Sequence, residues 1–149
     1  MNKLYILLIS FLIQNTAFCQ VNETDSLKLS EVIFAFQESI EYKDSKKFNT
    51  LFFGNEIPFI GIMSKATEWS IKKDYPDFEG IAVSNHLKFI TEICETEKHQ
   101  KEVFYNIKIS HDNSIASISF DYSYHLGAKM MQWGHEKWNL VKVNEAWLI

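Results

Sequence analysis

SIASISFDYSYHLGAKMMQWGHEKWNLVKVNEAWLI, residues 114–149, decides the fold. From Ile115 to His125 large apolar and small polar residues alternate strictly. Ala116, Ile118, Phe120, Tyr122 and Tyr124 fall on one face; Ser117, Ser119, Asp121, Ser123 and His125 fall on the other. A period of two is the mark of a strand with one covered side. Leu126-Gly127-Ala128 turns the chain, residues 129–143 form a second long strand, Asn144-Glu145 turn it again, and AWLI starts a further strand that runs only to Ile149. Upstream, EVFYNIKIS (102–110) also alternates, and HDNS (111–114) supplies a turn. The parity of 102–110 places Val103, Tyr105, Ile107 and Ile109 on the inner face. These strands make an antiparallel meander.

Before the meander the period is helical. Leu29, Val32, Ile33, Phe36 and Ile40 form one stripe of a helix expected from about Ser26 to Tyr42. Asp44 has the position of an N-cap for a second helix, DSKKFNTLFF, closed by Gly54. IPFIGIM (57–63) reads as a short buried strand and IAVS as another. Residues 64–80, broken by Pro76 and Gly80, read as a lid or flap. Ser84 or Asn85 caps a third helix, HLKFITEICETE, whose inner face is Leu87, Ile90 and Cys94, flanked by Phe89 and Ile93. Helices followed by an antiparallel meander make an α+β domain.

This order of elements resembles the nuclear transport factor 2-like superfamily. The resemblance rests on EVIFAFQESIEYKDSKKFNTLF as an opening helix pair with an Asp starting the second helix, and on the meander with its Trp-x-Leu-Val strand and closing Trp. It covers residues 26–149 and implies a cystatin-like cone: three N-terminal helices packed on a strongly curved sheet, with a pocket at one end. The superfamily includes ketosteroid isomerase, scytalone dehydratase, SnoaL-like cyclases and pocketed proteins without catalysis. It also implies a homodimer through the outer sheet face.

The N-terminus reads as a secretory signal peptide over residues 1–19. MNK is positive, LYILLISFLI is a ten-residue apolar run too short to span a bilayer, and Ala17-Phe18-Cys19 is a cleavage site before Gln20. A lipoprotein acylated on Cys19 ranks second, because Phe18 is bulky for that motif. Residues 20–25 read as a flexible leader, and 26–149 as one domain. The expected location is secreted or periplasmic, with no membrane contact once the signal is removed. The mature chain would keep one cysteine, Cys94, and so no internal disulfide.

The net charge is −4, or −5 without Lys3, and all fifteen basic residues are lysine. An acidic chain lacking arginine is poorly suited to nucleic acid. HEKWN (135–139) is not HExxH, because the second histidine position is Asn139. His125 and His135 alone could meet across a hairpin, and two ligands make a weak site. No metal or other cofactor is expected.

Strand parity then nominates a pocket. Tyr105, Phe120, Tyr122, Tyr124 and Trp138 face inward as ligand-binding candidates, and Trp133 joins them if Gly134 forms a β-bulge. Asp121 and His135 face outward. Glu136 shares the face of Trp138, so Glu136 and Tyr122 are the catalytic candidates, as acid or base and hydrogen-bond donor. The competing reading leaves Glu136 at the sheet rim, reaching water or a lysine. The functional expectation is binding of a small apolar or aromatic molecule, or protein interaction, without catalysis. The alternative is a small isomerase, dehydratase or cyclase.

Overall fold

The computed structural model describes residues 23–149, so the expected signal peptide lies outside the described residues. Helix α1 spans Glu23–Glu41 and begins inside the segment read as a flexible leader. The reason is Asp25. Its side chain is buried, it accepts a hydrogen bond from Trp147 Nε1 at 3.2 Å, and it pairs with Lys142 Nζ at 2.9 Å. The lysine holds this carboxyl below its ordinary pKa. The first turn of α1 is thereby pinned to the far end of the sheet. Along α1, Leu29, Val32, Ile33, Phe36 and Ile40 are buried, as the stripe requires.

Helix α2 covers only Ser45–Asn49, shorter than its ten-residue pattern. Asp44 caps it, accepting from the Lys47 amide at 2.9 Å. The remainder, through Leu51 and Phe53, exchanges backbone hydrogen bonds with Ile149 instead of continuing the helix. Strands β1 (Pro58–Ile62) and β2 (Ile81–Asn85) pair antiparallel as a separate two-stranded sheet. Between them lies a fourth helix that the sequence pattern did not reveal, α3 (Lys65–Ile71), capped by Ser64. Its anchor is Glu68, almost buried, which takes hydrogen bonds from Lys65 and Lys72 at 2.7 and 2.8 Å.

Helix α4 (His86–Glu95) is rotated from the expected setting. His86, Ile90 and Ile93 are buried, whereas Leu87 is exposed. His86 takes the inner place because its Nδ1 accepts the Ile57 amide at 3.0 Å and its ring stacks on Phe52 at 4.3 Å.

The main sheet has the order β3-β4-β5-β6, built from β3 (Gln100–His111), β4 (Ile115–Leu126), β5 (Lys129–Val143) and β6 (Ala146–Leu148). Asn144 and Glu145 both have positive φ, the geometry of a two-residue hairpin turn. The register between β3 and β4 slips between Tyr105 and Lys108, around Asn106 with φ 54°. This bulge reverses the parity of the first half of β3. Gln100, Glu102 and Phe104 face the helices there, while Val103 and Tyr105 face outward; Ile107, within the slip, is exposed as well. Of the four residues expected inward on this strand, only Ile109 is covered.

Phe36 is the hub where helices meet sheet. Its ring lies 4.6 Å from Trp138, 4.9 Å from Phe48 and 5.9 Å from Phe104. Each such buried aromatic stabilises the fold by about 1.5–3 kcal/mol.

Candidate functional site

On the inner face of the main sheet, cross-strand neighbours form rows. Glu102, Tyr124 and Gln132 make one row across β3, β4 and β5. Phe104, Tyr122 and Gly134 make the next, and Phe120 with Glu136 the third. The register is regular through Gly134, so the bulge expected there is absent. The slip comes later, where Tyr124 pairs with Gln132 but His125 pairs with Met130. Trp133 consequently stays on the outer face and is 73% exposed. Gly134 has a different task. A Cβ at this position would sit 3.0 Å from Tyr122 Cε1. The glycine lets the Tyr122 ring lie across β5, where Gln132 Nε2 donates to its Oη at 2.7 Å.

A cleft of about 980 Å³ opens over these rows. One wall is mostly apolar: Ile57 just before β1, Phe59 and Gly61 of β1, Ala82 of β2, and Phe89 and Ile93 of α4. The other is the sheet, with Glu102, Tyr122, Tyr124, Glu136 and Trp138. Tyr122, Tyr124, Trp138 and Glu136 thus come together as sequence parity suggested. Two candidates do not join them. Tyr105 faces outward because of the β3 bulge, and Trp133 does so because β5 is regular at Gly134. Phe120 faces inward but is fully buried, 4.1 Å from Phe104 and 4.8 Å from Trp138, so it supports the floor and does not line the cleft.

Glu102 is the residue that sequence reasoning missed. Its signal was the alternation Gln100, Glu102, Phe104, which competes with Val103, Tyr105, Ile107 and is chosen only by the bulge at Asn106. Neither the Glu102 nor the Glu136 carboxyl has a hydrogen-bond or ion-pair partner among the described residues, and no lysine perturbs either; the Glu102 backbone carbonyl accepts from Gln37 at 3.0 Å. Burial raises Glu136 to a pKa of about 7. Burial first, then the charge of Glu136, pushes Glu102 well above the ordinary range. Both carboxyls are thus held above the ordinary range, chiefly by burial. Both residues line the cleft. Burial, then Glu136 and Glu102, also raises Tyr122, so its phenol stays protonated. Tyr124 donates to Gln100 Oε1, whose amide donates to Ile93 O at 2.7 Å, tying the sheet to α4.

The outward residues form their own network. Asp121 accepts from Asn106 Nδ2 at 2.7 Å and meets His135 Nδ1 at 3.0 Å. His125 contacts Ser123, not His135. Among the described residues, no group of three or more His, Cys, Asp or Glu side chains is placed to hold a metal ion.

Comparison of this architecture with solved structures finds the same arrangement of helices and sheet. A nuclear transport factor 2-like superfamily protein from Salmonella enterica matches with TM-score 0.56 and 17% identity, over 84% of this chain and 87% of that one. The fold is that of the nuclear transport factor 2-like superfamily. A protein of unknown function from Mycobacterium tuberculosis matches with TM-score 0.59 and 12% identity, over 85% of this chain and 72% of the other. A candidate scytalone dehydratase from Novosphingobium aromaticivorans matches with TM-score 0.55 and 15% identity, over 84% and 78%. No family model matches the chain, and no curated protein does so significantly. At these identities the likeness concerns the cone-shaped α+β fold, and function has to be argued from the cleft.

Proposed function

We propose that this nuclear transport factor 2-like domain binds a small, largely apolar or aromatic molecule in the cleft between β1, α4 and the inner sheet face. The observation that carries this reading is the division of the cleft into a mostly apolar wall and a wall of unpartnered carboxyls and hydrogen-bonded phenols. The first supplies burial and the second orients the ligand. Native mass spectrometry of the purified chain tests it directly. A retained small molecule is expected in the wild type and absent in Ala82→Trp, which fills the cleft from β2. Equal retention in both proteins would place the ligand elsewhere.

A second reading, a small isomerase or dehydratase, is favoured by one observation: Glu136 is raised to about 7 beside the protonated Tyr122. A carboxyl poised near neutrality exchanges protons efficiently, and a phenol donor can stabilise a developing enolate. Deuterium incorporation next to the carbonyl of a cyclic ketone, followed by NMR, is the assay. This reading requires exchange that is lost in both Glu136→Gln and Tyr122→Phe.

We further propose export to the periplasm or medium, supported by the layout of residues 1–19, and a homodimer through the outer sheet face, supported by exposed Val103, Tyr105, Ile107 and Trp133. A mature N-terminus beginning at Gln20 is the expected product.

A further inference from the structure

We propose that the ligand of the cleft carries a cationic amine, held by Glu102 and Glu136 within a ring of aromatic side chains. This inference rests on the binding reading above and specifies the chemistry of its ligand. Three observations converge on it. The two carboxyls come from different strands, β3 and β5, and both line the cleft. No lysine ties either of them down, although the chain has fifteen and uses them to satisfy Asp25, Glu38 and Glu68. The lining also carries several aromatic rings: Tyr122, Tyr124 and Trp138 from the sheet, with Phe59 and Phe89 from β1 and α4.

Unpaired carboxyls crowded together in a low-dielectric site are unfavourable, and a cation placed between them removes both the repulsion and the desolvation cost. Aromatic faces attract the same cation and repel an anion. An ammonium group offers three donors to the acceptors lining the cleft, the two carboxylates among them. The apolar wall then takes the hydrocarbon part. The raised pKa values agree with this, because burial disfavours the charged carboxylates and a cation beside them would favour those forms.

The titratable groups bordering the cleft are Glu92 of α4, Glu102, Tyr122, Tyr124, His135, Glu136 and Lys137. His135 and Lys137 belong to the outer-face parity of β5, and His135 is engaged with Asp121. Binding of an amine is therefore governed by the two inner carboxyls.

Isothermal titration calorimetry on the mature chain with three matched probes tests the proposal: 2-phenylethylamine, 2-phenylethanol and 3-phenylpropionate. The amine is expected to bind at least about tenfold more tightly than the alcohol, and the carboxylate more weakly than either. Its affinity should rise from about pH 6 to about pH 8 as Glu136 ionises, with a proton released on binding near neutrality. Glu102→Gln and Glu136→Gln should each remove most of the preference for the amine, with urea unfolding reporting that the variants are folded. If the alcohol or the carboxylate binds as well as the amine, the cation inference falls while the binding reading stands. If none of the three binds up to about 10 mM, both fall.

Discussion

Glu136→Gln should change how stability depends on pH, with a size that follows from the site. Burial moves the Glu136 carboxyl from its ordinary 4.5 to about 7. When the chain unfolds, the group returns to water and its ordinary value. Below about pH 4.5 it is protonated in both states and contributes no difference. Between about pH 4.5 and pH 7 the folded chain keeps a proton that the unfolded chain has lost, so stability falls as pH rises. Above about pH 7 the loss is complete and amounts to about 3 kcal/mol. That is a large share of the roughly 5–15 kcal/mol available to a domain. Glutamine keeps the shape and the polarity but removes the titration. It also relieves Glu102 of the charge of Glu136, which flattens the profile further in the same direction. His86, lowered by burial, works with the opposite sign over part of this range, but it is present in both proteins and cancels in their difference. Urea unfolding at a series of pH values from about 4.5 to 8 measures both curves. The wild type should lose about 3 kcal/mol more than Glu136→Gln over that interval. Parallel curves would show that Glu136 is not desolvated, and the description of the cleft would be wrong.

Other positions give independent checks. Gly134→Val should displace the Tyr122 ring, because its Cβ would meet Cε1 at 3.0 Å; a loss of about 1–3 kcal/mol in chemical denaturation and of ligand retention is expected. Phe36→Ala, at the hub of the aromatic core, should cost about 3–5 kcal/mol by the same assay. Trp133→Ser should change stability by no more than about 0.5 kcal/mol, since the ring is largely exposed, yet shift the elution volume towards the monomer if the outer sheet face pairs two copies.

How much of this could be read from sequence depended on whether one residue type carried the decision. On β4 every second residue is large and its neighbours are small or polar, so parity was unambiguous, and Tyr122 and Tyr124 were placed inward. On β5 Trp138 and Leu140 set the face, and Glu136 followed from them. On β3 both parities are plausible, since Val103, Tyr105 and Ile107 compete with Gln100, Glu102 and Phe104. The choice is made by Asn106, which adopts φ 54° and donates to Asp121 across the strand pair. A one-residue slip sends every side chain to the opposite face. That single local conformation moved Tyr105 out of the site and brought Glu102 into it. A bulge at Gly134 would turn Trp133 inward, and glycine in a strand commonly marks one. The same glycine serves equally well where a ring must cross the backbone, and only the Tyr122–Gln132 hydrogen bond distinguishes the two.

The cleft also runs against what stability alone would select. Leucine or methionine at 102 or 136 would extend the Phe104–Trp138 surface and remove a desolvated carboxyl, a change that is generally neutral or stabilising. Among the described residues, the other buried carboxylates are paired. Asp25, buried at the other end of the sheet, has both Lys142 and Trp147, and Glu68 has two lysines. Two carboxyls without partners, on separate strands, converge where the structure also leaves its aromatic-lined opening. Local departures of this kind from good packing and pairing concentrate at functional sites. The missing partner is then supplied from outside the chain. A ligand that neutralises the pair should raise the wild type's melting temperature most above pH 7, where the uncompensated charge is greatest, and least in Glu136→Gln.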